Sequence, residues 1–491
     1  ADRAAARAAG ESRSASLPAD APALGEMPRS AAWVTWALVL WPWRGVRPQI
    51  CNADGGECAP TGGRALHPIA RLPRPTIRQP SLAKLLRAGV DSPTEAELEE
   101  VWRLLGEHGT LDFEAGRLPE TGLFPTAEAG GQSACTRENV HLAHALVVGG
   151  DVEGAVAVAR SLAHFYLKHV HKLDALLSGE ADREDANQWP HVRFNGRLLS
   201  ENPEPQGRKQ LDAYGYFIWL FAKLARHGKL TPTEDEMALL LSFGRLLVTL
   251  PYHNASDHGH WGETLQCRAS SVGAVVAAAR ELQALLREQP DVPEKWELAP
   301  IAASLEASGS WAMTTMFSQA REEDDAAMIF LIYPLEAVGG KPAFKLLSSV
   351  EEKLLRPHGV LRYVNDSYWH QDWEETSGRD PNVTREERES RPRPGEEAQW
   401  CLFDSVLSSI HGAAYLKKPA PAVLAGQRFY LKRALGQVTG PGSASGAWKV
   451  PEAYYLRRGQ WVANDNTPSR WAQANLKVAM IRMRESLGLA K

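Results

Sequence analysis

The sequence predicts an all-α protein, a closed ring of paired helices, on three observations. Apolar residues recur at three- and four-residue spacing through about ten segments. The apolar–polar alternation that marks strands is nearly absent. Loops between helices alternate short and long, and the long ones gather Trp, Tyr, His, Arg and Asp, the behaviour of loops that carry function. A ring brings such loops together at one end. An irregular bundle or a solenoid is the competing layout, and no internal repeat favours the solenoid.

Residues 1–75 are rich in Ala, Arg, Gly and Pro without sustained periodicity and read as an extension, disordered or a targeting remnant. The folded domain is expected over 76–491, starting near "PSLAKLL". Helical patterns follow at 94–107, 138–150, 152–172, 210–227, 233–249, 268–288, 342–355, 397–416, 421–435 and 469–487, with weaker ones at 300–306 and 323–335. In "SSVGAVVAAARELQALLRE" (270–288), Val272, Val275, Val276, Ala279, Leu282, Leu285 and Leu286 form one apolar stripe. Ser270 or Ser271 can cap its start.

At 491 residues and 44% hydrophobic content the chain can bury a large core. Its formal charge of -4 argues against nucleic acid or an anionic membrane as the main partner. Five cysteines, odd in number and scattered, do not form a disulfide framework or a CxxC metal set, which suggests a reducing, cytoplasmic setting. The sequons at Asn254, Asn365 and Asn382 matter only in a secreted chain. The run "AAWVTWALVLWPW" (31–43) holds a proline and falls short of the ~20 residues that span a bilayer.

The long loops "NQWPHVRFNGR", "YHNASDHGHWGE", "LRYVNDSYWHQDWEE" and "VPEAYYLRRGQWVANDNTP" combine aromatic faces with Arg and carboxylates, the mixture that binds sugars. Trp189, Trp261, Trp369 and Trp400 can equally anchor the core. His253, Asp257, His258 and His260 suggest a metal, but no second cluster completes the set, so neither metal nor cofactor is expected. Phosphate-cradling and nucleophile-elbow motifs are missing. Glycoside hydrolysis needs two carboxyl groups flanking the scissile bond. The candidates are Glu263, Glu374, Glu375, Glu396, Glu397 and Glu452, and spacing alone selects no pair.

Ordered blocks select among them. "TGLFPT" and "TRENV", "PHVRFNGR" and "QLDAYGYFIWLFAKL", "HWGE" and "ASSVG", "GVLRYVNDSYW", "PGEEAQWC", then "VPEAYY" and "NDNTPSRWAQANL" together resemble glycoside hydrolase family 15, the glucoamylase family. The resemblance covers roughly 76–491 and extends to the glucoamylase-like domain of the phosphorylase kinase regulatory subunit. It implies an (α/α)6 barrel, a six-hairpin toroid, acting on an α-glucan or oligosaccharide by inversion. It places the general base on Glu452 and a sugar-binding arginine on Arg362, with Tyr363, Asp366 and Tyr368 beside it. The pair that holds the terminal sugar falls on Arg137 and Glu138, where the family has Asp. Asp212, Trp261 and Trp400 fall in blocks that line the sugar site.

Two departures stand out. Counting back from "ASSVG" puts Gly262 where the family's general-acid glutamate belongs, leaving Glu263 as a displaced acid. "QGRKQLDA" lacks a tryptophan often found before the Gln and Asp. The resemblance thus implies a hydrolase, weakened at the acid position, or a non-catalytic carbohydrate-sensing domain that kept the cleft.

Overall fold

The computed structural model describes residues 69–489 apart from 87–88, 90, 127–131, 204–207, 263–264, 290–291, 293, 319–323 and 374–394. The expected N-terminal extension, up to residue 68, lies outside them, as do Glu263, Glu374 and Glu375. The packed chain is already in place at Leu72, which is buried, and at Pro73, whose carbonyl accepts from Arg433 Nη1.

In chain order the α-helices are α1 (Pro80–Leu85), α2 (Glu95–Glu107), α3 (Thr136–Gly149), α4 (Val152–Lys168), α5 (Val170–Ser178), α6 (Leu211–Arg226), α7 (Glu234–Thr249), α8 (Ala269–Glu288), α9 (Lys295–Ser318), α10 (Gly340–Ser349), α11 (Leu402–Lys417), α12 (Pro421–Gly436) and α13 (Arg470–Ser486). A 3-10 helix, Ala326–Leu331, takes one helical place. Packing closes a ring: α3 on α6, α6 on α8, α8 on the 3-10 helix, that on α11, α11 on α13, and α13 back on α3. Outer helices α2, α4, α7, α9, α10 and α12 alternate with these inner ones along the chain.

Sequence decides which helices are inner. Along α6, "LDAYGYFIWLFAKLAR", all but Lys223 and Arg226 are buried, the pattern of a helix with neighbours on every side. By contrast α2 buries only Leu98, Val101 and Leu105. The inner pair α6–α8 approaches most closely at Gly215, where a Cβ would lie 2.8 Å from the Ala274 carbonyl carbon. Outer helices carry their own caps: Thr94 with Glu97 and Thr233 with Glu236 form capping boxes, and Asp151 accepts from Gly154 N.

Two small antiparallel sheets brace one end. One runs β1 (Ser133–Cys135), β2 (Arg193–Asn195), β3 (Ser200–Glu201). The other runs β4 (Leu355–Arg356), β5 (Gly359–Val360), β6 (Gln399–Trp400), β7 (Ala453–Arg457), β8 (Gln460–Ala463). Val360 pairs with Trp400 and Trp400 with Ala453, so this register brings the segments of Arg362, Trp400 and Glu452 side by side. Strands of two to five residues are too short to show alternation, which is why the sequence hides them. The expected helix at 397–416 starts instead at Leu402 because Gln399 and Trp400 are taken by the sheet. The expected 152–172 helix breaks at His169 (φ -112°, ψ 18°) into α4 and α5. The weak 300–306 pattern belongs to a helix of 24 residues, α9.

A buried ion pair locks the ring beside this sheet. Arg433 of α12 bonds Asp404 of α11 at 2.6 and 3.2 Å, and its remaining N–H groups reach the carbonyls of Pro73, Arg356 and Gly359. Arg433→Ala should cost about 3–5 kcal/mol in urea unfolding by stranding Asp404, whereas Arg433→Met with Asp404→Leu should cost clearly less. Equal losses in the two variants would refute this account of the pair.

Candidate active site

Several of the residues singled out above lie at or shortly before the N-terminal ends of the inner helices. Arg137 is the second residue of α3 and Asp212 the second of α6. Trp261 precedes α8, Trp400 ends just before α11, and Glu452 precedes α13. The N-cap residues of α3, α6, α8 and α11 make no side-chain cap, and the positive dipole ends of these helices lie toward this region.

Arg137 and Asp212 form its floor. Nε of Arg137 donates to Asp212 Oδ2 at 2.6 Å, and Nη2 donates to Asp212 Oδ1 (3.0 Å), Gln210 Oε1 (2.6 Å) and the Gly259 carbonyl (3.3 Å). Both residues are buried. Burial alone would raise the Asp212 pKa; the Arg137 charge and a bond from His260 more than offset it and hold the carboxylate well below its usual range. His260 Nδ1 lies 3.4 Å from Asp212 Oδ2. Burial and the positive charge of Arg137 push the imidazole pKa down to about 4, so it is neutral at pH 7.

The loop bearing His260 and Trp261 is closed by reciprocal backbone bonds between Asp257 and Gln266, 2.9 and 3.0 Å. Asp257 caps α6 from outside, its Oδ2 accepting from Leu211 N (2.9 Å) and from Ser271 Oγ (2.8 Å). Burial first, then the charge of Asp212, raises its pKa to about 7. Among the described residues no cluster of three or more His, Cys, Asp or Glu could hold a metal ion. Gly262 sits at φ +65°, and a Cβ there would be 3.2 Å from Gln210 Nε2.

Above the floor Arg362 stands in an aromatic box. Its guanidinium carbon lies 4.9 Å from the Trp261 and Tyr368 ring centres, 5.2 Å from Trp400 and 5.4 Å from Tyr363, within cation–π range. Asp366 clamps it in bidentate fashion at 2.6 and 2.5 Å. Trp261 is held by Nε1 donating to Asp325 Oδ1 at 2.9 Å. Trp189 is fully buried in the core, and Trp369 packs on Tyr455 and Trp373. Glu397 serves the backbone, accepting from Asn365 N (3.0 Å) and Gly395 N (2.7 Å).

Glu452 is half-buried. Its Oε2 accepts from both Asn464 Nδ2 and Asn466 Nδ2 at 2.8 Å, while Oε1 has no partner among the described residues. Burial raises its pKa to about 7; the two amides and Arg362 pull it down, and the nearby charge of half-buried Glu138 pushes it up. Sequence reasoning missed His260 as a support of Asp212, and Gln210, Asn464 and Asn466 as supports. The "NDN" stretch shortly after "PEAYY" was a usable signal for the last two, since amides are suited to orient a carboxylate.

Infrared difference spectra, with Glu452→Gln as reference, should show the Glu452 carboxyl ionising with a midpoint near pH 7. Replacing Asn464 and Asn466 by Ala removes donors that favour the anion, so the midpoint should move up. A midpoint near the ordinary value of 4.5 would refute the environment described.

No family model matches the chain, and neither does any curated protein. Solved structures do. A point variant of a glycosidase aligns with TM-score 0.59 and 17% identity over 81% of this chain and 100% of its own. A glycosidase variant in complex with glucose aligns with TM-score 0.58 at 17% identity, over 81% of this chain and 100% of its own. Glucoamylase from Saccharomycopsis fibuligera aligns with TM-score 0.51 and 13% identity over 83% of this chain and 98% of its own. At these identities the likeness is one of fold, and the chain has the glucoamylase-like (α/α)6 fold.

Proposed function

We propose that the chain is an inverting hydrolase of α-linked glucans or oligosaccharides, with Glu452 as general base. The observation that carries this reading is the state of Glu452: one oxygen oriented by two amides, the other without a partner among the described residues, and a pKa of about 7. A base with that affinity can take a proton from water near neutral pH and give it up again. Oε1 removes the proton as the water attacks the anomeric carbon from the face opposite the leaving group. The glycosidic C–O bond breaks, the leaving oxygen takes a proton from the acid, and the product anomer is inverted.

In this reading Arg137 and Glu138 hold the terminal sugar, Arg362 binds its hydroxyls, and Trp261 and Trp400 supply aromatic surface. Asp212 keeps Arg137 in place. Glu263 is the displaced acid. A second reading, a carbohydrate-sensing domain without catalysis, is favoured by Gly262 at the expected acid position. The left-handed backbone there, φ +65°, costs a non-glycine residue about 1–2 kcal/mol. A glutamate at 262 would also press on Gln210, which accepts from Arg137. Gly262→Glu is therefore expected to lose stability without gaining activity.

Maltooligosaccharides should release glucose as the β-anomer, followed by proton NMR within seconds of mixing. Glu452→Gln should lower kcat by ~10²–10⁴-fold. The activity limb controlled by the base should rise with pH through about 7, because the ionised form is the acceptor. Glu263→Gln should abolish turnover of ordinary glucosides yet spare α-glucosyl fluoride, whose leaving group needs little protonation. Binding of maltooligosaccharide by calorimetry with no turnover of either substrate would establish the sensing reading instead; no binding would refute both.

A further inference from the structure

The outward face of α9 is unusually apolar for an outer helix. Trp296 is 78% exposed and Trp311 54% exposed. Between them the exposed positions are Pro300, Ala303, Ser304 and Ala307, and none of the six carries a charge. The charged residues of the helix are Lys295, half-buried at its first position, and two carboxylates that are turned aside: Glu297 pairs with Arg245, and Glu306 bonds Arg280 and Gln283. A helix with apolar residues on its solvent side as well as its core side is the pattern of one covered on both. Two indoles in water on a single helix face are a large apolar exposure for a monomer.

The order of residues identifies what covers it. Read outward from the Ala303–Ser304 junction, the face is the same in both directions: a small residue, then Pro300 on one side and Ala307 on the other, then Trp296 and Trp311. A two-fold axis through that junction, with the helices antiparallel, sets Trp296 opposite the second copy's Trp311 and Pro300 opposite its Ala307. This is the reciprocity an isologous interface requires. The small residues at the centre let the helix axes approach, and the tryptophans, ~22 Å apart along the axis, close the two ends. Glu297 then meets Ser310 of the second copy and Glu306 its Ile301, so no like charges are forced together in a chain of net charge -4.

We propose that α9 is the dimerisation helix of this protein and that its occupant is α9 of a second copy, packed antiparallel about a two-fold axis at Ala303–Ser304. At ~200 Å² per tryptophan, the four indoles put on the order of 500 Å² into the contact. The ridge between them and the adjoining helix α7, which packs on α9, carry the total to about the 1,000 Å² that a specific interface needs. The dimer is independent of the sugar reading, since the site lies at the N-terminal ends of the inner helices and α9 is an outer helix packed on α8.

Sedimentation velocity on the full chain at about 50 μM, above the micromolar Kd suited to an interface near the lower size limit, should give twice the 53.9 kDa chain mass. Raising NaCl to about 1 M, where the Debye length falls to ~3 Å, should leave the dimer intact, because the contact is uncharged. Trp296→Glu and Trp311→Glu, both on the surface, should each give a monomer with unchanged circular dichroism and thermal midpoint. Register is tested by mixing Pro300→Cys with Ala307→Cys: a short bifunctional maleimide should couple the mixture above the level of the unmodified chain, while neither variant alone exceeds it. A monomeric parent chain overturns the proposal, whatever covers the face, and so does a dimer that survives both glutamates. Equal coupling in either variant alone overturns the antiparallel register.

Discussion

The ion pair between Arg137 and Asp212 is the constraint on which the rest of the active end depends. Arg137 sits in the first turn of α3, where the helix dipole is positive and a cation is disfavoured. Buried there without a partner it would be untenable. Asp212, in the first turn of α6, occupies the position where an anion is favoured. Their contact therefore relieves one unfavourable placement with one favourable placement and, in doing so, fixes the rotation of two adjacent inner helices. Gln210 and the Gly259 carbonyl complete the guanidinium's bonds, which brings in the loop from Asp257 to Gln266. Once that loop is set, His260 and Trp261 are set with it.

The same pair organises protonation around it. Asp212 is held ionised, and its charge, after burial, keeps Asp257 protonated to about pH 7. A neutral Asp257 can still cap α6 and accept from Ser271. His260 stays neutral because burial and Arg137 outweigh the carboxylate it touches. The floor thus carries one fixed positive and one fixed negative charge, and His260 beside it is neutral at pH 7. Glu452, further along the ring, also ionises near neutrality, and unlike the fully buried Asp257 it is half-buried, with Oε1 free of any partner among the described residues. Burial of several carboxyls in a low-dielectric region pushes their pKa values apart, which is how two groups of one chemical type come to hold different roles.

Much of this is legible in the sequence, and the exceptions have physical causes. Inner helices with dense apolar content, such as α6 and α8, show their limits to within a residue or two. Helix α9 shows itself only in part because it lacks a polar side: periodicity is a contrast between faces, and a helix apolar on both has none to show. Pro300 inside it is a further misleading sign. The five-stranded sheet is invisible because pairing across 355–463 joins segments of two to five residues. The placing of Arg362 beside Trp400 and Glu452 follows from that sheet, so it comes from ordered motifs and not from local patterning. His260 stands in the sequence among other histidines, in a stretch that suggests an incomplete metal set. Only three-dimensional packing distinguishes it from His253 and His258, since all three have similar local sequence.

Gly262 shows how a single backbone requirement can decide chemistry. The loop that brings His260 onto Asp212 turns sharply, with Gly259 at φ +62° and Gly262 at φ +65°. Both positions ask for glycine. A loop of this shape carries a glutamate at 262 only with strain, because the backbone there is left-handed and a Cβ would approach Gln210. The bond network that orients Arg137 and the space at residue 262 meet at Gln210. In the proposed hydrolase the proton donor is therefore assigned to a different position, Glu263, the next residue in the sequence.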